Sequence, residues 1–356
     1  MALFIETLIV SLIGGSIFNF LKIPLPWLLG PLVLIMLWKS ATKRSLYWPV
    51  GLRNAGLVFL GLIIGISFTV ETGLQILKQL PLIVLATVLT VSFSLLVGYV
   101  TSRKTGLSLA TAIIGSTPGG LPQMVALSEE VKNADATVIT FMQTIRIMSV
   151  VFIVPFIVIH GLADNVLPTN AISGESGSVD LLIDFSWNTI LFLVLILMVV
   201  WLSLRVNLPT PFLLGPIIGS IILVLAGFPV PTVPSFMVIA SQICVGSYMG
   251  LTTNLRNLMH MRKVLLYVLG GNLAIILFSF SISYILTCVY PLRLIDAFLG
   301  MAPGGIAEMG LTALQVHADI SLITAYQMFR LLFILFLIPA LLKYWFGSVP
   351  GKCKEH

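Results

Sequence analysis

Charge is scarce in this sequence. Asp, Glu, Lys and Arg make up 9% of its 356 residues, against about 25% in a soluble domain. Stretches such as Ile190–Val200 and Leu331–Leu342 carry none at all. With 58% hydrophobic residues and a mean hydropathy of +1.10, the composition excludes a soluble protein. The length suits about ten membrane crossings of about 20 residues each. Cysteine is scarce too. The three present, Cys244, Cys288 and Cys353, make no disulfide framework, and two of them lie inside apolar runs. The four histidines are scattered and no pair has metal-ligand spacing on one helix. We therefore expect no metal, no cofactor and no enzyme. The net charge of +6 is spread over loop ends, which fits cytoplasmic loops of a membrane protein and not a nucleic-acid surface. The start of the chain has no basic region ahead of its apolar run, so Ala2–Leu21 is expected to be a retained first helix.

What is present is a stretch that occurs twice. Gly115-Ser-Thr-Pro-Gly-Gly-Leu-Pro-Gln-Met124 is answered by Gly300-Met-Ala-Pro-Gly-Gly-Ile-Ala-Glu-Met309, 185 residues later. Proline removes a backbone donor and each glycine costs about 1 kcal/mol of helix propensity, so each stretch should break a helix. In lipid, such a break survives only where protein or trapped water satisfies the freed backbone groups. Paired breaks in two halves point to a transporter-type binding site.

The repeat extends beyond the breaks. Leu28-Leu-Gly-Pro31 matches Leu213-Leu-Gly-Pro216, and Gly61 and Gly65 match Gly246 and Gly250, all offset by 185. The offset becomes 184 for Asp135/Asp319, Gln143/Gln327, Arg146/Arg330 and Pro155/Pro339. The expected organisation is a membrane repeat over 1–160, a linker over 161–184 with four acidic residues, a second repeat over 185–345 and a basic tail over 346–356.

Charge orients the halves. If each broken segment is re-entrant, each half has five crossings, an odd number, and the two are inverted. Thirteen Lys and Arg residues then fall inside, among them Lys43, Arg44 and Arg262, and three fall outside (Lys22, Lys78 and Arg293). Six full crossings per half would split the basic residues and put the acidic linker inside, so the positive-inside rule favours inversion. The expected fold is an all-α polytopic membrane protein of two inverted repeats, each of about five transmembrane helices plus one re-entrant Pro-Gly-Gly segment, with a cytoplasmic C-terminus.

The candidate substrate-binding residues follow. Ser116, Thr117, Gly119, Gly120 and Gln123 form one tip; Gly304, Gly305 and Glu308 form the other. Freed N–H groups and helix N-termini at such tips suit an anionic group. Arg146 and Arg330 sit midway along apolar helices, where a charge costs about 2.5–3.5 kcal/mol and faces a cavity or a partner. Gln143 and Gln327 lie three residues earlier on the same faces. Two arginines and Glu308 leave a formal +1 at the centre. Two roles stay open for the arginines: binding an anionic substrate, or tying down each loop through its carbonyls with Glu308 as an ion-pair partner. Asp135 and Asp319 should be N-caps, and Arg53 should snorkel inward.

Leu-Leu-Gly-Pro, Ser-Thr-Pro-Gly-Gly and Met142-Gln-Thr-Ile-Arg146, each with its second copy, resemble the AbrB-type duplicated bacterial inner-membrane proteins. That family is also catalogued as an ammonia monooxygenase or as a regulator of gene expression. It shares a name with a small soluble DNA-binding regulator whose fold nothing here matches. No ligand cluster suited to copper or iron supports the oxygenase label. The resemblance implies an inner-membrane location. The second copy departs at Met301-Ala302 for Ser116-Thr117 and at Glu308 for Gln123, so two ligand-binding loops would use different side chains. The leading expectation is a carrier of a small polar or anionic metabolite, with the lipid bilayer as partner, no nucleic acid, and a homo-oligomer allowed. The alternative is a membrane-embedded regulator or sensor acting on gene expression through a partner.

Overall fold

A computed structural model describes residues 2–162, 187–206, 208–231, 233–253 and 262–346. The expected linker from 163 onward and the tail from 347 onward lie outside them. The described residues are helical, in the order α1 (Ala2–Phe20), α2 (Pro26–Thr42), α3 (Val50–Ile66), α4 (Val70–Thr105), α5 (Leu109–Ser116), α6 (Leu121–Glu130), α7 (Ala136–Ile157), α8 (Trp187–Arg205), α9 (Pro211–Leu225), α10 (Ser235–Thr252), α11 (Arg262–Val289), α12 (Leu294–Met301), α13 (Ile306–Gln315) and α14 (Ile320–Phe346). Six of these are long and apolar enough to cross a membrane, and α2, α3, α8 and α9 are shorter apolar helices. Large apolar side chains such as Ile9, Leu197, Leu266 and Phe336 are exposed on them, as lipid-facing surface requires. The chain is a helical membrane protein.

It divides into two compact units. The first comprises Met1–Leu77, Pro155–Asn254 and Gly310–Leu322. Here α2 and α9 open alike: Leu25 and Thr210 are left-handed, with φ 48° and 47°, and each precedes a proline in the first helical turn. Left-handed backbone at a residue with a β-carbon is strained. The Leu25 N–H meets the Gln315 side-chain oxygen at 3.2 Å.

The glycine pairs are where helices touch. A β-carbon at Gly61 would lie 2.5 Å from the Leu213 carbonyl oxygen, and one at Gly65 would lie 2.8 Å from that of Ile217, so α3 runs parallel to α9 in backbone contact. In the same way Gly246 and Gly250 of α10 abut Leu28 and Leu32 of α2, at 2.3 and 2.6 Å. By contrast, α3 and α10 cross antiparallel. Gly56 abuts Ser241 and Cys244, while Arg53, earlier on α3, stacks over the ring of Tyr248, later on α10, at 4.9 Å. A buried hydroxyl pair, Ser11 and Ser247, joins α1 to α10 at 2.8 Å.

The second unit comprises Lys78–Val154, Leu255–Met309 and Ile323–His356. The fourth helix is longer than proline at position 81 suggests. It starts at Val70, where Thr69 and Thr72 cap each other's backbone amides at 2.8 and 3.2 Å, and it carries Pro81 as an interior residue. In this unit α4 and α11 cross antiparallel, with Phe93 stacked on Phe278 and Val97 against Gly271. The start of α7 packs on α11 through Val138, Phe141, Met142 and Ile145 against Val264 and Val268. The last turn of α7 passes Pro155 into a π-helical turn, Val158–Leu162, a common response to a proline kink.

Candidate functional site

Each Pro-Gly-Gly stretch does break a helix. The first separates α5 from α6 by an extended segment at 117–120, and the second separates α12 from α13 at 302–305. The start of α5 lies beside the start of α7. Ser108, at the start of α5, donates to the Asn133 carbonyl beyond α6, and the Asp135 N–H donates to Thr111 Oγ1 at 2.9 Å. Asn133 and His317, which stand at the same place in the two halves, are both left-handed, with φ 61° and 50°. Asp135 then caps α7 through the amides of Thr137 and Val138, and Asp319 caps α14 through Leu322.

A helix leaves its last carbonyls unpaired, and a broken one does so in the protein interior. Two buried side chains per break take up this role. Gln143 Nε2 donates to the carbonyls of Ile114, Gly115 and Thr117 at 2.9, 3.2 and 3.0 Å. Arg146 spans the break, with Nη1 on Thr117 O and Nη2 on Gly119 O. In the second half Gln327 Nε2 reaches Leu299 O and Ala302 O at 2.7 and 3.1 Å. Arg330 reaches Met301 O, Ala302 O and Gly304 O at 3.1, 2.6 and 2.8 Å, and also donates to Gln327 Oε1. Both arginines are 5% exposed. Each guanidinium places its planar fork over carbonyls at a helix C-terminus, where the helix dipole favours a cation. Both arginines thus make the carbonyl contacts that the loop-tying role calls for.

The close approach of α7 and α14 requires the glycine before each break. A β-carbon at Gly115 would lie 2.5 Å from Met142 Sδ, and one at Gly300 would lie 3.1 Å from Tyr326 Cβ. Beyond the break the side chains at the tips fold inward. Gln123 Oε1 lies over Gly120, and Glu308 Oε2 takes the same place over Gly305. Gln123 Oε1 is buried without a hydrogen-bond partner. Ser116 and Thr117 are buried, and Thr117 Oγ1 bonds back to Ile113 O at 2.8 Å. Gly119 is buried, Gly120 and Gly304 are partly so, and Gly305 is exposed. The structure thus joins Gln143 and Arg146 to the first break and Gln327 and Arg330 to the second. With the carbonyls occupied, the amides that open α6 and α13 precede the first intrahelical bonds, Met124 N–H to Gly120 O and Met309 N–H to Gly305 O. At the start of α6, beside the partly exposed Gly120, those amides are groups suited to an anionic ligand, whereas at the start of α13 the Glu308 carboxylate accepts from its own backbone amide.

Sequence reasoning passed over a neighbour of the second break. Thr87 and Thr90 of α4, Tyr326 and Arg330 line a cavity of about 10 Å³, enough for about one water molecule. Tyr326 is 3% exposed and its hydroxyl has no hydrogen-bond partner. The available signal was the recurrence of small polar residues at Thr87, Thr90 and Ser94 along an apolar helix.

A family model described as "Transition state regulatory protein AbrB" matches residues 27–346. The chain is 24% identical to the "Uncharacterized protein YhjN" of Bacillus subtilis (strain 168), over 93% of this chain and 90% of that one. It is 24% identical to the "Putative regulator AbrB" of Escherichia coli (strain K12), over 97% of each. No solved structure matches. With the family model spanning nearly its full length, the chain belongs to the AbrB family.

Proposed function

We propose that this protein is a carrier of a small polar, anionic metabolite in the bacterial cytoplasmic membrane, holding its substrate near the midplane between the two Pro-Gly-Gly breaks. The observation that carries this reading is the matched pair of breaks, each with its carbonyls held by a buried Gln–Arg pair. That arrangement turns the acceptors away and leaves the amides that open α6 at the first tip, while Glu308 stands at the second. Ser116, Thr117, Gly119, Gly120 and Gln123 on one side and Gly304, Gly305 and Glu308 on the other line the site. Gln143, Arg146, Gln327 and Arg330 position the loops and supply the positive field.

The halves are inverted repeats with re-entrant broken segments and a cytoplasmic C-terminus. Three observations support this. Equivalent helices α3 and α10 cross antiparallel, as do α4 and α11. The non-equivalent pairs α3–α9 and α2–α10 run parallel. The start of α5 lies beside the start of α7. An inverted pair related by an axis in the membrane plane has this combination, and alternating access is the use such folds make of it.

Proteoliposomes carrying the purified protein should exchange one class of radiolabelled small anion, and Gln123→Ala or Glu308→Gln should reduce that exchange at least tenfold. Absence of exchange across carboxylates, phosphorylated metabolites and amino acids, with protein shown to be folded, would sink the proposal. The printed name of the Escherichia coli relative favours a second reading, a regulator that acts on gene expression through a partner. Under it, a deletion strain would change expression with metabolite levels unchanged.

A further inference from the structure

The first two helices form a groove at the lipid-facing surface. It is lined by Ile5, Glu6, Ile9, Ile13, Leu34 and Trp38 and has a volume of about 500 Å³, comparable to that of one fatty acyl chain. From Ile5 to Ile13 it follows α1 for about 12 Å, most of the roughly 15 Å of hydrocarbon in one leaflet. Its two ends differ. The deep end, around Ile13 and Leu34, is apolar. The other end carries Glu6, whose Oε1 accepts from Trp38 Nε1 at 2.9 Å and lies 3.5 Å from Arg44 Nη1. Trp38 is 42% exposed, with its ring nitrogen on this polar end, the pose of an indole at a membrane–water interface. Lys39, on the next position of α2, is turned away and donates to the Leu251 carbonyl at 2.7 Å.

We infer that this groove binds a glycerophospholipid with a zwitterionic aminoethyl headgroup, with an acyl chain along α1 and the headgroup at the Glu6–Arg44 end. The charges at the mouth have both signs. The Arg44 side chain is 66% exposed, so guanidinium N–H groups remain for a phosphate. The Glu6 carboxylate, 22% exposed, offers an acceptor to a primary ammonium. A purely anionic headgroup would set its charge against Glu6. A choline headgroup carries no N–H to donate. The aminoethyl headgroup meets both charges.

The test uses the full chain, purified in detergent and delipidated, with phosphatidylethanolamine, phosphatidylglycerol and phosphatidylcholine of identical acyl chains titrated by native mass spectrometry. We expect phosphatidylethanolamine to bind at least tenfold more tightly than the other two. Glu6→Gln keeps the acceptor for Trp38 Nε1 and should bring phosphatidylethanolamine and phosphatidylglycerol to within a factor of two. Ile9→Trp, which fills the groove, should abolish retention of all three, and lipid-free melting temperatures of both variants identify a folding defect. Equal binding of the three lipids by the unaltered protein would overturn the inference. So would a preference for phosphatidylglycerol that survives Glu6→Gln, or retention of lipid by a folded Ile9→Trp variant.

Discussion

Phe93 and Phe278 stack on one another, with ring centroids 4.0 Å apart and planes 8° from parallel. They also occupy the same place in the two halves, 185 positions apart. In the inverted arrangement proposed above, a local two-fold axis would pass between such a pair and make the contact self-complementary. Gly56 and Ser241 are a second such pair, also offset by 185 and in contact.

The ring pair should show energetic coupling. Phe93→Leu and Phe278→Leu each remove the same contact, so their destabilisations should fall short of additivity by about 0.5–1.5 kcal/mol in a double-mutant cycle. Equilibrium unfolding in a mixed-micelle titration would measure it. Full additivity would show that the stack contributes nothing beyond area.

The glycines sort by what a methyl group would meet. Gly61→Ala and Gly246→Ala drive a β-carbon against a carbonyl oxygen and should each cost about 1–3 kcal/mol, seen as a lower melting temperature. Gly73, on α4, has nothing within 4 Å of its β-carbon position. Gly73→Ala should therefore gain up to about 1 kcal/mol from helix propensity. A Gly61→Ala variant as stable as Gly73→Ala would contradict the observed packing.

The two arginines should be needed for folding before they are needed for activity. Removing either guanidinium leaves buried carbonyls unpaired, and Arg146→Ala or Arg330→Ala should cost about 3–5 kcal/mol, with poor expression. Lysine keeps the charge but lacks the planar fork that spans Thr117 and Gly119. Arg146→Lys should thus be intermediate, about 1–3 kcal/mol less stable than the parent. Thermal melts of the detergent-purified variants check the order. Full stability of both alanine variants would contradict the carbonyl-tying role.

Much of this was legible because proline and glycine leave local marks. Pro118 and Pro303 each announce a break without any knowledge of what surrounds them, and Asp135 and Asp319 are capping residues by type and position. Gly61 and Gly246 announce a close approach but not its partner, because a missing side chain says nothing about which helix arrives. That α3 pairs with α9 and α2 with α10 needed the structure. The role of Arg146 was undecidable for a related reason. A buried guanidinium satisfies the same rule with a substrate or with backbone carbonyls, and which carbonyls lie within its reach needed the structure. Pro81 has the look of a first-turn residue, yet α4 starts eleven residues earlier at Val70, where Thr69 and Thr72 cap it.

The orientation of the halves is open to chemical labelling. Single cysteines at Lys43 and Arg262, in an otherwise cysteine-free chain, should resist an impermeant thiol reagent in intact cells. One at Ser176, which lies outside the described residues, should react. Labelling at Lys43 with protection at Ser176 would reverse the assignment.

The exchange of partners between halves has a consequence for biosynthesis. The notches at Gly61 and Gly65 are filled by α9, and those at Gly246 and Gly250 receive α2, so neither seam can close while only the first half has left the ribosome. At about 5–20 residues per second, the 152 positions from Gly61 to Leu213 and the 218 from Leu28 to Gly246 take roughly 8–44 s to synthesise. For that interval α2 and α3 stand in the bilayer with their contact faces open. A nascent chain stalled there would display the unfilled seams to membrane chaperones and proteases.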